Sequence, residues 1–287
     1  MKVKSIEEII IPDHLVGPQK FNSEDEVIEW ENRLILFFLS FSDLFTPFPD
    51  YFKARAYEFS ILRQLLPEYF DLHLPYENIL EIGCGYGFKS LLMSHMCGNL
   101  LGIDIPAKYK GYTRGNYETS VQIANMIVKD KFKLGNVSFR AMWPDKMDLA
   151  DNSIQLVFSE YVLEHTPNLS EAIREMHRVM QKDAIMIHVV PNSKDPIITF
   201  IKANVNSWLK EAALVIAKKI LKRNYSGKIK WNGLIVPTCH SEFLSDYSEQ
   251  IETNSLENYL FPMLDAGFRI ERIISTREHN NVIVARK

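Results

Sequence analysis

At 287 residues, 46% hydrophobic and 24% charged, the chain has the composition of a globular protein able to bury one sizeable core with additions. Its 33 Lys and Arg against 36 Asp and Glu leave a net charge of −3, which excludes a global basic field for recruiting nucleic acid. The opening residues, MKVKSIEE, lack the continuous apolar run of a secretory signal, and Leu34 to Leu39 falls far short of the roughly 20 residues that span a bilayer. Three cysteines (Cys84, Cys97 and Cys239) show no CxxC or Cys/His spacing; this points to a reducing, cytoplasmic compartment and away from a disulfide scaffold or structural zinc.

Residues 22–46 read as a helix, because Ser23 followed by Glu26 is a capping-box signature before an apolar run. A second helix, Tyr51 to Leu66, stops at Pro67. From Asn78 the pattern changes to short apolar strands alternating with helices. The strands are Ile79–Ile82, Asn99–Ile105, Val137–Met142, Ile154–Ser159 and Ala184–Val190. The helices between them are Lys89–Met96, Tyr117–Asp130 and Asn168–Gln181. A last helix, Ser255–Ala266, precedes Arg269–Ser275 and Asn281–Ala285, whose short link predicts an antiparallel edge pair. Such alternation predicts a doubly wound α/β sheet of seven strands. Four regions follow: an N-terminal helical cap (1–70), a core (71–194), an inserted lid (195–251) and C-terminal elements completing the core (252–287). Within the insertion, Ile197, Ile201, Val205, Trp208, Ala212 and Val215 fall near one helical stripe, with Lys218, Lys219, Lys222 and Arg223 at its end.

The segment Glu81-Ile82-Gly83-Cys84-Gly85-Tyr86-Gly87 joins a strand to a helix, and its glycines permit a tight turn and close backbone approach to a ligand. A dinucleotide fingerprint, G-x-G-x-x-G, fails because Phe88 stands at the third glycine position. The segment resembles instead the E/D-x-G-x-G-x-G loop of class I S-adenosylmethionine-dependent methyltransferases. Three further stretches follow in family order. Asp104 ends the second strand, 21 residues beyond Gly83; DNSIQLVFSEYVLEH (151–165) resembles the family's "pdnsFDlV…vLEH"; and EMHRVMQK (175–182) resembles its "E-x-x-R-V-L-K-P-G-G" helix end. Within that class the chain resembles the type 11, ubiquinone/menaquinone-biosynthesis-like group. The chain departs from it at Ile154-Gln155 for "FD", at Asp183-Ala184 for the glycine pair, and at Trp143, where the family often carries an acid for the adenine. Asp145 lies two residues beyond Trp143, so stacking, Asp145 or backbone groups remain alternatives there.

The resemblance implies a Rossmann-like seven-stranded mixed sheet binding S-adenosylmethionine, with S-adenosylhomocysteine as product. It assigns cofactor contacts to Glu81, Gly83, Cys84, Gly85 and Gly87, to Asp104 at the ribose, to Trp143, and to Ser159 and Glu160 after the fourth strand. Methyl transfer to a hydroxyl needs a base, for which His240 in the insertion and His165 in the "LEH" stretch are the candidates, with Tyr161 beside them. His188, on an apolar strand, reads as a core residue. Glu160, Glu164 and His165 are spaced more widely than the metal-assisting groups of quinone-ring O-methyltransferases, so no metal is expected. Cys84 serves the turn as a small side chain. The acceptor is expected to be a small molecule, saccharide or lipid-linked group methylated at oxygen, and not nucleic acid, since Ser159-Glu160-Tyr161-Val162 replaces the N-P-P-Y signature of amino methyltransferases. A basic amphipathic helix over 197–223 would also permit peripheral contact with the inner face of a membrane. The alternatives are N-methylation of a small molecule and a non-catalytic binding protein on the same fold.

Overall fold

The computed structural model describes residues 5–45, 51–71, 75–106, 119–166, 168–191, 228–231, 234–237, 256–275 and 280–287. The helices are α1 (Glu24–Leu39), α2 (Ser42–Phe45), α3 (Tyr51–Leu65), α4 (Phe88–Met93), α5 (Ser120–Ala124), α6 (Leu169–Val179) and α7 (Leu256–Asp265). The core strands are β1 (Tyr76–Ile82), β2 (Cys97–Asp104), β3 (Val137–Ala141), β4 (Ile154–Glu160) and β5 (Met180–Pro191). A separate antiparallel pair follows, β6 (Lys228–Trp231) with β7 (Leu234–Pro237), and then β8 (Arg269–Ser275) and β9 (Asn280–Arg286).

Seven strands form one sheet in the order β3-β2-β1-β4-β5-β9-β8. The first five are parallel, while β9 runs antiparallel to both β5 and β8. The predicted antiparallel pair is present, with β8 on the edge. Chain order reverses between β1 and β4. In such sheets the carboxyl ends of the two strands at the reversal open a crevice where ligands bind.

Near-continuous apolar runs make β1, β4 and β5 strands buried on both faces. One face is covered by the N-terminal region together with α4 and α5. Phe38 lies at the centre of that layer, with ring centroids 4.7 Å from Phe52, 5.0 Å from Phe88, 5.9 Å from Phe45 and 6.0 Å from Phe132. The N-terminal cap is thus continuous with the core. The other face is covered by α6 and α7 through Ala172, Ile173, Met176, Val179, Tyr259 and Met263.

Four local outcomes differ from the sequence expectation. Ser23 accepts from the Glu26 N–H at 3.3 Å as predicted, but the Glu26 carboxylate reaches back to the N–H of Asn22 at 2.7 Å, so the box is displaced by one residue. The helix expected from Tyr117 begins at Ser120, capped by a reciprocal Thr119–Gln122 box, and continues as a π-helical stretch, Asn125–Lys131. The Phe132 N–H reaches the Ile127 carbonyl there, five residues back. The helix expected to Gln181 ends at Val179, because Met180 already pairs with Ile154 as the start of β5. Asp183, which stands where the resembling motif carries glycine, takes φ +62°, a left-handed conformation that aspartate tolerates.

Of the predicted insertion, only the β6–β7 pair lies within the described residues; β7 runs alongside α3. The 197–223 helix lies outside them. Among the described residues no helix is long and apolar enough to cross a membrane.

Phe38→Ala should cost about 3–5 kcal/mol in chemical denaturation, because its ring, 1% exposed, ties the cap to α4. A loss below about 1 kcal/mol would show that the cap is not part of the cooperative core.

Candidate active site

The glycine loop leaves β1 at the strand-order reversal. Gly83, Gly85 and Gly87 adopt φ of +74°, +52° and +77°, a region costly for other residues. A Cβ on Gly83 would lie 2.1 Å from Cγ2 of Val162, and one on Gly87 would lie 2.6 Å from the Phe139 ring. Gly85 is different: the nearest atom to its Cβ position is the Tyr51 hydroxyl at 3.8 Å, so its outer side is open. The N–H groups of Gly83 and Cys84 bond to the Ile103 carbonyl at 2.8 and 3.0 Å, anchoring the loop to β2.

Asp104 at the end of β2 locks the turn. One carboxylate oxygen accepts from the Gly85 N–H at 3.0 Å and from the Ser120 hydroxyl at 3.1 Å, and the other from the Ile105 N–H at 2.8 Å. Burial raises its pKa, and these three donors oppose the rise. Ile105 and Trp143 stand exposed beside it at the carboxyl edge, at 39% and 45%. Asp145, the alternative adenine contact, is held by the Asn168 amide at 2.8 Å.

Beside the loop lies a buried ionic network. Lys89, in the first turn of α4, pairs with Glu160 at the end of β4 and lies 3.9 Å from Glu58 on α3. Arg55 bonds Glu58 at 3.0 Å, and its guanidinium lies 5.1 Å from the Tyr161 ring centroid and 5.7 Å from that of Tyr51. Glu81 accepts from the Ser90 hydroxyl. Burial pushes Glu81 up to about 7, Lys89 down to about 7 and Tyr51 up to about 12. Tyr161 follows β4 with φ +56°, a conformation a tyrosine holds only when its surroundings impose it; the Asn280 amide donates to its hydroxyl. Glu164 is 4% exposed, and neither carboxylate oxygen has a partner of hydrogen-bond geometry among the described residues. His165 Nε2 lies 3.9 Å from one of those oxygens. Burial raises Glu164 to about 7, opposed by its own peptide N–H and by Arg55, and lowers His165.

Of the residues singled out from sequence, Glu81, Gly83, Gly85, Gly87, Asp104, Glu160, Tyr161 and His165 come together at one sheet edge, with Trp143 exposed beside Asp104. Cys84 contributes its backbone; its thiol is buried and held well above the usual range, unsuited to nucleophilic chemistry. Ser159 turns the other way. It is fully buried, and its hydroxyl bonds His188 Nδ1 at 2.5 Å. His188 is the core residue expected, held neutral by burial with a pKa of about 3, though its Nε2 has no hydrogen-bond partner among the described residues. His240 lies outside the described residues. Among the described residues no cluster of three or more His, Cys, Asp or Glu is arranged to hold a metal.

Sequence reasoning did not single out Arg55, Glu58, Lys89 and Asn280. The legible signal was Lys89: a lysine in the first turn of a helix, Phe88–Met93, otherwise made of apolar residues and one serine has no solvent face to occupy.

A family model described as a methyltransferase domain matches residues 80–188, which hold the glycine loop, Asp104 and the turn after β4. The uncharacterized methyltransferase YcgJ of Bacillus subtilis (strain 168) is 23% identical over 165 residues, 54% of this chain and 60% of that protein, so the match spans less than two thirds of that relative. Among solved structures, an S-adenosylmethionine-dependent methyltransferase from Mesorhizobium loti superposes with a TM-score of 0.50 at 15% identity, over 80% of this chain and 97% of that one. A putative sarcosine dimethylglycine methyltransferase from Galdieria sulphuraria gives 0.53 at 12% identity, over 82% and 87%. The Rossmann-like fold is thereby established, and the resemblance to class I S-adenosylmethionine-dependent methyltransferases read from the motifs is borne out.

Glu164 carries a pH prediction for the ligand-free protein. Its folded pKa exceeds the reference value of 4.5, so between about 4.5 and 7 the folded state binds more protons and this group's contribution to stability falls as pH rises. His95 and His188, held neutral at about 4 and 3, act in the opposite sense below 6.5, so the whole-protein slope is not the readout. The readout is the difference between Glu164→Gln and wild type in melting temperature. It should grow in favour of Gln from pH about 5 to about 7.5; a constant difference would mean that Glu164 is ionised throughout.

Proposed function

We propose that the chain is an S-adenosylmethionine-dependent methyltransferase acting on the hydroxyl of a small-molecule, saccharide or lipid-linked acceptor. The observation that carries the reading is the left-handed glycine loop locked to Asp104 through the Gly85 N–H, beside a buried network with more carboxylates than cations. In that network Glu58, Glu81, Glu160 and Glu164 face Arg55 and Lys89, an acidic surplus suited to a cationic ligand and unsuited to a phosphate backbone.

The open side of Gly85 and the cramped side of Gly83 fit a ligand lying along the loop. Asp104 retains lone-pair capacity for ribose hydroxyls, and Ile105 and Trp143 offer apolar surface to an adenine. Arg55, stacked between two tyrosines, suits a carboxylate, while Glu81 and Glu160 suit an ammonium. S-adenosylmethionine supplies a methyl group already activated on a sulfonium, so the protein's task is in-line aim and exclusion of water. His165, kept neutral by burial and flanked by Glu164, is the described residue suited to take the acceptor's proton, a contribution of about 10²–10⁴-fold. His240 is the second candidate. The basic amphipathic pattern of 197–223 supports an anionic or lipid-linked acceptor.

Asp104→Ala should weaken S-adenosylhomocysteine binding by about 1–3 kcal/mol, since it removes hydrogen bonds to a charged group and frees the loop. Unchanged affinity would remove Asp104 from the site. Transfer from methyl-labelled S-adenosylmethionine into sugars and lipid-linked glycans tests the acceptor class. Label found only on amines would replace O-methylation with N-methylation.

A further inference from the structure

The buried carboxyl of Glu164 has no counterpart in the hydrogen-bonding scheme that holds the loop. Its side chain is 1% exposed, and among the described residues no other residue hydrogen-bonds its oxygens, its own peptide N–H being the one donor that favours the charged form. A buried carboxylate with so little support is costly, whereas its protonated form is tolerable; a cation arriving next to it reverses that preference. Its location gives it the opportunity, because it lies two residues beyond Val162, the side chain that closes on Gly83.

Resting on the methyltransferase reading, we propose that Glu164 is a charge-discriminating residue: protonated in the empty or product-bound site, ionised when a sulfonium occupies it. The step is a proton release. Binding of a ligand with positively charged sulfur expels the Glu164 proton to solvent and leaves a compensating carboxylate; binding of the neutral thioether leaves the proton in place. The consequence is selectivity for methyl donor over spent product at a loop whose backbone contacts treat the two alike.

The groups around it allow this assignment. Arg55 of α3 acts on it through charge and His165 stands beside it, while Glu58 of α3, Lys89 of α4, Glu160 of β4, Glu81 of β1 and Asp104 of β2 make up the rest of the charged edge. Lys89 is committed to Glu160 and Glu58, and Arg55 to Glu58. His165 lies 3.9 Å away and is held toward its neutral form. Arg55 therefore stabilises an ionised Glu164 only in part; among the described residues no Lys or Arg pairs with it directly, and a bound sulfonium supplies that charge.

Calorimetry in two buffers of different ionisation enthalpy, at pH about 6.5, counts the protons released by S-adenosylmethionine and by S-adenosylhomocysteine. For wild type, the donor should release more protons than the product. Glu164→Gln should abolish that excess and reduce the donor-to-product affinity ratio at pH about 8 by about tenfold or more, since an opposite charge within about 4–6 Å moves a carboxyl by 1–3 units. An unchanged excess in Glu164→Gln would overturn the proposal. If that variant does not fold, the wild-type affinity ratio decides: it should rise as pH increases through about 7, and a flat ratio overturns the proposal. Binding of neither ligand to folded wild type would overturn the methyltransferase reading itself, and this inference with it.

Discussion

The contact on which the site depends is the approach of the turn after β4 to the first glycine of the loop after β1. Val162 lies where any Cβ on Gly83 would have to be, at 2.1 Å. That approach exists because the sheet reverses its strand order there, setting β1 and β4 side by side with Ile82 opposite Ser159. The glycine loop can then turn left-handed without strain, its N–H groups reach β2, and Asp104 receives the Gly85 N–H. The last residues of β4 and the turn after it bring Glu160, Tyr161, Glu164 and His165 to the same edge. A side chain at Gly83 would displace all of this at once.

Around that contact the protein keeps an unusual amount of buried charge. Lys89 stands in the first turn of a helix, where the helix dipole disfavours a cation, and its burial adds a further cost. Nearby carboxylates offset part of this, which explains why Glu58 and Glu160 converge on it from two different elements. Buried ion pairs of this kind seldom add stability over apolar packing, so their retention points to what the site must bind. The acidic surplus and the strained Tyr161 backbone belong to the same argument: an arrangement that folding alone does not favour is concentrated at the crevice.

Much of the fold was legible in the sequence. β1, β2, β4 and β5 are apolar runs bounded by glycine, aspartate or proline, and their alternation with helices admits few topologies. The candidate site's glycine loop was legible too, because loop conformation and the acid at the end of β2 are local properties of chain order. The ionic network was not. Arg55 and Glu58 are spaced like an ordinary solvent-exposed i,i+3 helix pair, and only the packing of α3 on α4 reveals that Glu58 is buried and Arg55 largely so. Ser159 shows what a motif cannot say: its place near the end of β4 is legible, but that its buried hydroxyl bonds His188 on the neighbouring strand follows only from the pairing of β4 with β5. The π-helical continuation of α5, which buries Ile127 and Val128, was not read from hydrophobic spacing, since adjacent apolar residues fit an α-helical face equally well.

The most direct test of the account is equilibrium binding to the purified, folded chain, measured by calorimetry with S-adenosylmethionine, S-adenosylhomocysteine, NADH and NADPH as parallel titrants. A crevice built from a left-handed glycine loop, Asp104 and an acidic buried network predicts saturable binding of the two adenosyl sulfur compounds and none of the nicotinamide dinucleotides. Absence of binding by both sulfur compounds, or a preference for a nicotinamide dinucleotide, would contradict it.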